Sequence, residues 1–262
     1  MFRQNTLSVF SNLISSLFTF APHEHAESMQ QYMQTTDKLI KDGKNEEALE
    51  RIIWFHEHAL EKEPAMAGVR LSFALSRWKD FGDKYAPAKL ALLETRDNTQ
   101  KKVLAKDGTA QQFWDVESIN RVLNANDETV ELFRRLDESN PKLAKHSWQS
   151  IKSLVIEQKE YELAKKYIGG FSGSYEVIKN QYITMKRFAE RNQNAPSTAS
   201  FAEQEFIKEA VELINFALAI GNPTAAKEIQ EKALKLSDDP KLLNAIPKDS
   251  QKTNDSDKAS KS

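Results

Sequence analysis

Cysteine is absent from the 262 residues, which removes disulfides, Cys-ligated zinc and thiol nucleophiles and leaves both reducing and oxidising compartments open. Glycine and proline are scarce, eight of each, too few for the many turns of an all-β chain, so the composition points to helix. Charge of one sign is lacking as well: 37 basic against 38 acidic residues give a formal net charge of -1, with no global attraction to nucleic acid or to an anionic membrane. No run reaches the roughly 18 consecutive apolar residues that a membrane-spanning helix requires. Walker loops, G-x-G-x-x-G and G-x-S-x-G do not occur, so nucleotide binding and serine-hydrolase chemistry have no positive signal.

What is present is a chain with 29% charged and 40% hydrophobic residues, long enough to bury a sizeable core, and patterned at helical period. In "KDGKNEEALERIIWFHEHALEKEP", residues 41 to 64, Gly43 is followed five positions later by Ala48, eleven positions after that by Ala59, and then by Pro64. At about 100° per residue, a spacing of seven turns a helix by about 700° and one of eleven by about 1100°, so either spacing leaves the two alanines about 20° from alignment. Four extra residues therefore lengthen the helix by about 6 Å while keeping its contact stripe. Two other stretches share the pattern. Trp148, Ile151, Val155, Tyr161, Ala164 and Ile168 fall on one set of positions, with Lys152 and Lys159 where glycines would stand. Leu213, Gly221, Ala226, Ala233 and Leu234 fall on another, with Gln230 in an aromatic position and Pro240 two positions late.

These three stretches resemble degenerate tetratricopeptide repeats. The resemblance covers about a third of the chain and implies an all-α fold of stacked antiparallel helical hairpins, a tetratricopeptide-like α-solenoid with irregular repeats, over residues 28–247. It also implies a non-catalytic protein–protein interaction scaffold, whose first helices line a surface for a peptide or helix of a partner, with no catalytic residue, cofactor or metal. Taking Ala48, Ala88, Glu128 and Ala164 as equivalent second-helix positions gives spacings of 40, 40 and 36, a period suited to stacked helical pairs. An enzyme or metal-binding module in an α-helical pocket and a membrane-surface adaptor are the alternatives, because a fold does not fix a function.

The intervening segments fit the same architecture. Leu71, Leu75 and Trp78, with Val69 and Phe73 beside them, predict a buried helix; Pro87 opens the next. Phe113, Val116, Ile119 and Val122 predict another, a turn at 124–127 follows, and Val130, Phe133 and Leu136 line a helix that Asn140-Pro141 ends. Gly169, Gly170 and Gly173 mark a break before a helix with Tyr175, Ile178, Ile183 and Phe188 turned inward. Residues 192–200 are polar and contain Pro196, the best candidate for an internal linker. Phe206, Ala210, Leu213 and Ala217 begin the last pair. The tail 248–262 has no hydrophobic residue except Ala259 and is expected to be disordered.

Candidate sites are few. His56-Glu57-His58 and His23-Glu24-His25 carry zinc-type ligands, yet residues two apart on a helix point about 200° apart, so His56 and His58 do not converge on one ion and read as surface or packing residues. His23 and His25 fall in a loop after Pro22 without evident third and fourth ligands. Trp54, Phe55, Trp78, Trp114 and Trp148 are the candidate partner-binding residues, because aromatics anchor protein contacts; packing between helices is the competing role. Lysine-rich pieces such as "TQKKVLAKDG" lack aromatic interleaving and read as solvated faces.

The N-terminal segment 1–27 is either amphipathic or signal-like. Arg3 and the apolar run after it resemble a secretory signal, but Ser11, Asn12, Ser15 and Ser16 interrupt the run, Pro22 follows Ala21, and Glu24 disfavours cleavage after Ala26. As a helix, it would carry Phe10, Leu13, Leu17 and Phe20 on one side, widened by Ile14 and Phe18. Retention is expected, with a cytoplasmic location slightly favoured over export through residues 1–26, and peripheral membrane contact through residues 7–20 stays open.

Overall fold

The computed structural model describes residues 28–191 and 196–247. The N-terminal segment 1–27, the tail 248–262 and residues 192–195 of the expected linker lie outside the described residues. The rest of that linker forms the opening turns of a helix that begins at Pro196, a first position where proline's missing N–H costs least.

The described residues are all-α. Thirteen helices run in the order α1 (Met29–Lys41), α2 (Asn45–Lys62), α3 (Ala67–Arg70), α4 (Phe73–Gly82), α5 (Ala86–Val103), α6 (Ala110–Val122), α7 (Asn126–Ser139), α8 (Pro141–Glu157), α9 (Tyr161–Ile168), α10 (Phe171–Arg191), α11 (Pro196–Ala219), α12 (Pro223–Ala233) and α13 (Pro240–Leu243), with a 3₁₀ turn at Pro64–Met66. Consecutive helices pack together. None of the described helices is long and apolar enough to cross a membrane. The chain divides into two compact units, the first ending at Ala91 and the second beginning at Leu92.

One turn occurs four times. Gly43, Asn124, Lys159 and Gly221 all have left-handed φ, between 56° and 76°, and each follows the C-terminal residue of a helix by two positions. The next amide donates back to the carbonyl five residues earlier: Lys44 to Leu39 at 2.9 Å, Ala125 to Asn120 at 2.8 Å, Glu160 to Val155 at 3.0 Å and Asn222 to Ala217 at 2.8 Å. The left-handed residue's own amide donates to the carbonyl three residues back in every case. This is the Schellman arrangement, which satisfies two orphan carbonyls of a helix end and turns the chain sharply. The following helix starts at once, pairing α1 with α2, α6 with α7, α8 with α9 and α11 with α12.

A fixed geometry at the turn fixes which side chain meets the preceding helix. Five residues after the left-handed position stand Ala48, Thr129, Ala164 and Ala226, each 0% exposed. The residues whose carbonyls close the turn, Leu39, Asn120, Val155 and Ala217, are buried as well. In α6/α7 these two positions are polar and meet through one hydrogen bond, Asn120 Nδ2 donating to Thr129 Oγ1 at 3.0 Å. The expected equivalence of Glu128 is thus one residue off. Asn124 supplies the left-handed conformation in place of glycine, and the position it sets is Thr129. Ala88 follows a different connection without a left-handed residue. There Gly82 is needed for space, because a Cβ on it would lie 3.0 Å from the Lys89 backbone.

In the first unit, the two alanines of the expected α2 stripe, Ala48 and Ala59, are buried, and so are Phe55 and His56. Phe55 and Ala59 join Met29 and Tyr32 in a core with Trp54, Met66 and Val69 around it. Arg51 lies flat over the Tyr32 ring, 3.6 Å from its centroid, and donates to Thr36 Oγ1 at 3.1 Å and to the Tyr32 carbonyl at 3.1 Å. The expected helix over residues 69–78 is broken at Leu71–Ser72. The break changes the phase, so that Leu75 and Trp78 are buried while Phe73 is 71% exposed.

The second unit has two cores. Phe113, Val116, Val130, Phe133, Leu136, Trp148, Ile151 and Val155 build one, and Tyr175, Tyr182, Phe206, Ala210, Leu213, Ile214 and Ile229 belong to the other. On α10 the inward stripe is Tyr175, Ile178, Tyr182 and Ala189. Tyr182 takes the core position, and Phe188 points outward at 59% exposure. Gln230, in the expected aromatic place, is buried because its Nε2 donates to the carbonyls of Leu242 and Leu243 at 2.7 and 3.2 Å, capping α13. Beyond neighbours in sequence, α6 touches α8 and α8 touches α11.

The shared turn predicts intolerance of bulk at the crossing position. Ala48→Leu and Ala164→Leu should each cost about 1–3 kcal/mol by overpacking, read from urea denaturation, whereas Gln34→Leu on the exposed side of α1 should stay within about 0.5 kcal/mol. Unchanged stability at both alanines would contradict the register.

Candidate functional site

The five aromatic candidates are distributed over both units. In the first, Phe55 is a core residue, and Trp54 is half-buried with its ring 4.9 Å from Tyr32 and 5.4 Å from His58. Trp78 is buried, its indole N–H donating to the Ala88 carbonyl at 2.9 Å. In the second, Trp114 is 39% exposed on α6, and Trp148 is stacked on Tyr167 at 5.4 Å and lies 6.0 Å from Phe133. Trp148 lines a recess of the second unit.

The two histidines of α2 face apart. His56 is buried against Trp78, ring centroids 5.7 Å apart, and receives Arg70 Nη1 at 3.2 Å from Nε2 and 3.1 Å from its own carbonyl. Burial, and then the Arg70 charge, hold the imidazole down at about 3, so it is neutral at physiological pH and acts as an acceptor. His58 instead meets Glu61 at 3.2 Å on the outer side of the helix. His23 and His25 lie outside the described residues. Among the described residues no cluster of three or more metal-type ligands forms.

A candidate site lies along α11. Between α10 and α11 a recess of about 190 Å³ is walled by Ile178, Tyr182, Met185, Phe201 and Phe206. A second, of about 240 Å³, adjoins it and is bounded by Trp148 and Lys152 of α8, by Tyr167 and by Val177 of α10; the two share Ile178 and Glu209. Val177 and Phe201 are 55% and 52% exposed. On α11, Phe201, Glu205, Glu209 and Glu212 stand at i, i+4, i+8 and i+11, so one helix face presents them all. A larger recess of about 540 Å³ opens on another face of α11, where Ile156, Tyr161, Val211 and Phe216 meet Lys208 and Lys241.

Electrostatics tie this groove together. Lys152 reaches from α8 to Glu209 at 2.7 Å, with both side chains about one-fifth exposed. Burial raises the Glu212 carboxyl above its ordinary value and Glu209 adds to the effect, against a hydrogen bond from Ser153 and the charges of Lys152 and Lys208. Lys152 thus acts on both Glu209 and Glu212, and Lys208 adds its charge near Glu212. On the Trp148 side, Tyr167 donates its hydroxyl to Asp137, which also receives Lys166 at 2.6 Å, so α9 is lashed to α7. The groove offers apolar contact flanked by carboxylates.

No protein-family model and no curated protein matches this chain.

The sequence reading missed the groove because Glu205, Glu209 and Glu212 look like a solvated helix face, and only the fold brings α8 and α10 against it. The one available signal was their spacing beside the apolar stripe of Phe206, Ala210 and Leu213.

The raised Glu212 carboxyl has a definite pH signature. A folded-state value above the unfolded one means that the ionised group opposes folding, fully so at pH above both values and not at all below the ordinary carboxylate range. Glu212→Gln should therefore unfold at a higher temperature than the natural chain at pH 7, and the difference should vanish as pH falls below about 4. A variant less stable at pH 7 would contradict the assignment.

Proposed function

We propose that the protein is a tetratricopeptide-like helical-repeat scaffold that binds a peptide or helix of another protein and performs no catalysis itself. The observation that carries the proposal is the turn used four times, each with a fully buried small residue five positions on. This construction is the one by which stacked antiparallel hairpins keep a constant crossing, and stacking leaves an extended surface along the first helices. In the second unit α6, α8 and α11 are first helices of such pairs, and the succession of contacts from α6 to α8 to α11 supports that reading. The groove beside α8 and α11, apolar on its walls and open at Val177 and Phe201, suits the docking of a segment from outside.

A photo-reactive residue placed at Val177 and activated in the native host tests the proposal. A discrete cross-linked partner is expected there, and none is expected from the same residue at Glu46 on the exposed side of α2. Absence of an adduct at Val177, or turnover in a broad hydrolase panel that a single carboxylate or histidine substitution abolishes, would contradict it.

A further inference from the structure

We infer that the groove between α8, α10 and α11 takes an amphipathic helix whose apolar stripe is flanked by lysine or arginine; this rests on the scaffold reading above and names the chemistry of its partner. Three observations converge. The first is shape: two adjoining recesses follow α11 from Phe201 to Leu213, about 18 Å at helical rise, the length of a little over three turns. The second is uncovered apolar surface. Val177 and Phe201 project into the groove from opposite helices and are each more than half exposed, and Met185 and Tyr182 continue the wall between them.

The third is charge. Glu205, Glu209 and Glu212 line the two recesses, and Lys152 is the only cation lining either of them among the described residues. The remaining polar lining is uncharged: Gln149, Gln181 and Ser174. Lys208 approaches Glu205 to 3.8 Å from the neighbouring face of α11, and Lys186 sits over the Tyr182 ring at 5.6 Å. Neither lines the groove. The lining of the two recesses thus holds three carboxylates against one lysine beside apolar walls, with Lys208 pairing Glu205 from outside it. A docked acidic helix would set like charges side by side, and an uncharged one would take the carboxylates from water without replacing their solvation. A basic flank provides charge-assisted partners while the apolar stripe covers Val177 and Phe201.

Two synthetic helical peptides test this, alike in a leucine stripe at i, i+3, i+4 and i+7 and differing only in lysine or glutamate on the flanks. Each is titrated with the full chain and followed by fluorescence anisotropy. The lysine peptide should bind at least about tenfold more tightly than the glutamate peptide, and its affinity should fall as salt rises. Phe201→Ser and Glu205→Gln, both at accessible positions, should each weaken it about fivefold or more with the helical circular dichroism unchanged. Equal affinity for the two peptides, no binding of either, or indifference to Phe201→Ser would overturn the inference. So would concentration-dependent self-association of the natural chain that Phe201→Ser abolishes, since the groove would then be filled by a second copy. Failure here with a cross-linked partner at Val177 would leave the scaffold reading standing and change only the partner's chemistry.

Discussion

The left-handed residue that ends the first helix of each pair is the constraint on which the rest depends. Once Gly43, Asn124, Lys159 or Gly221 takes positive φ, the two backbone hydrogen bonds that close the turn leave little freedom in where the next helix starts. The side chain five residues on then faces the end of the preceding helix. Only a small side chain fits at such a crossing, and the chain places Ala, Thr, Ala and Ala there with no solvent exposure. Local backbone geometry, in this protein, dictates a tertiary contact. The α6/α7 pair shows that size matters more than polarity, because Asn120 and Thr129 occupy the same two positions by hydrogen bonding to each other.

The groove follows from how the pairs meet. α8 and α11 are both first helices, and Lys152–Glu209 bridges them with little exposure on either side chain. α10 lies outside the paired scheme. It packs along α11 and turns a helix seam into a channel with Tyr182 and Met185 on one wall and Phe201 on the other. The cost falls on Glu212, half-buried beside Glu209, although Lys152 and Lys208 offset part of it. A carboxylate in such surroundings opposes folding at neutral pH.

Legibility in the sequence followed the physics of each signal. The helical class and the contact stripe of α2 could be read because 3.6-residue periodicity survives a four-residue insertion, and Ala48 and Ala59 are both buried as that arithmetic requires. Gly43 and Gly221 announced their turns. The turn at 124–127 was expected too, and Lys159 stood where the pattern has a glycine, but nothing in composition marks Asn124 or Lys159 as left-handed, and the equivalence of Glu128 slipped by one residue as a result. Phe73 and Phe188 were expected inside on hydrophobicity alone; a break in the helix and the larger claim of Tyr182 on the core face turned them outward. The groove could not be read, because its walls come from three helices separated by up to about 65 residues, and its carboxylates look like any solvated face until those helices are brought together.

Replacing the two non-glycine residues of the repeated turn tests the central claim most directly. Lys159→Gly and Asn124→Gly, singly and together, should raise the urea midpoint, the lysine change more than the asparagine one and by up to about 1 kcal/mol of unfolding free energy, because glycine removes the Cβ penalty of a left-handed residue and asparagine already tolerates it. A lowered midpoint for Lys159→Gly, of the size that glycine causes in a helix interior, about 1 kcal/mol, would mean that the turn is not built this way and would contradict the account.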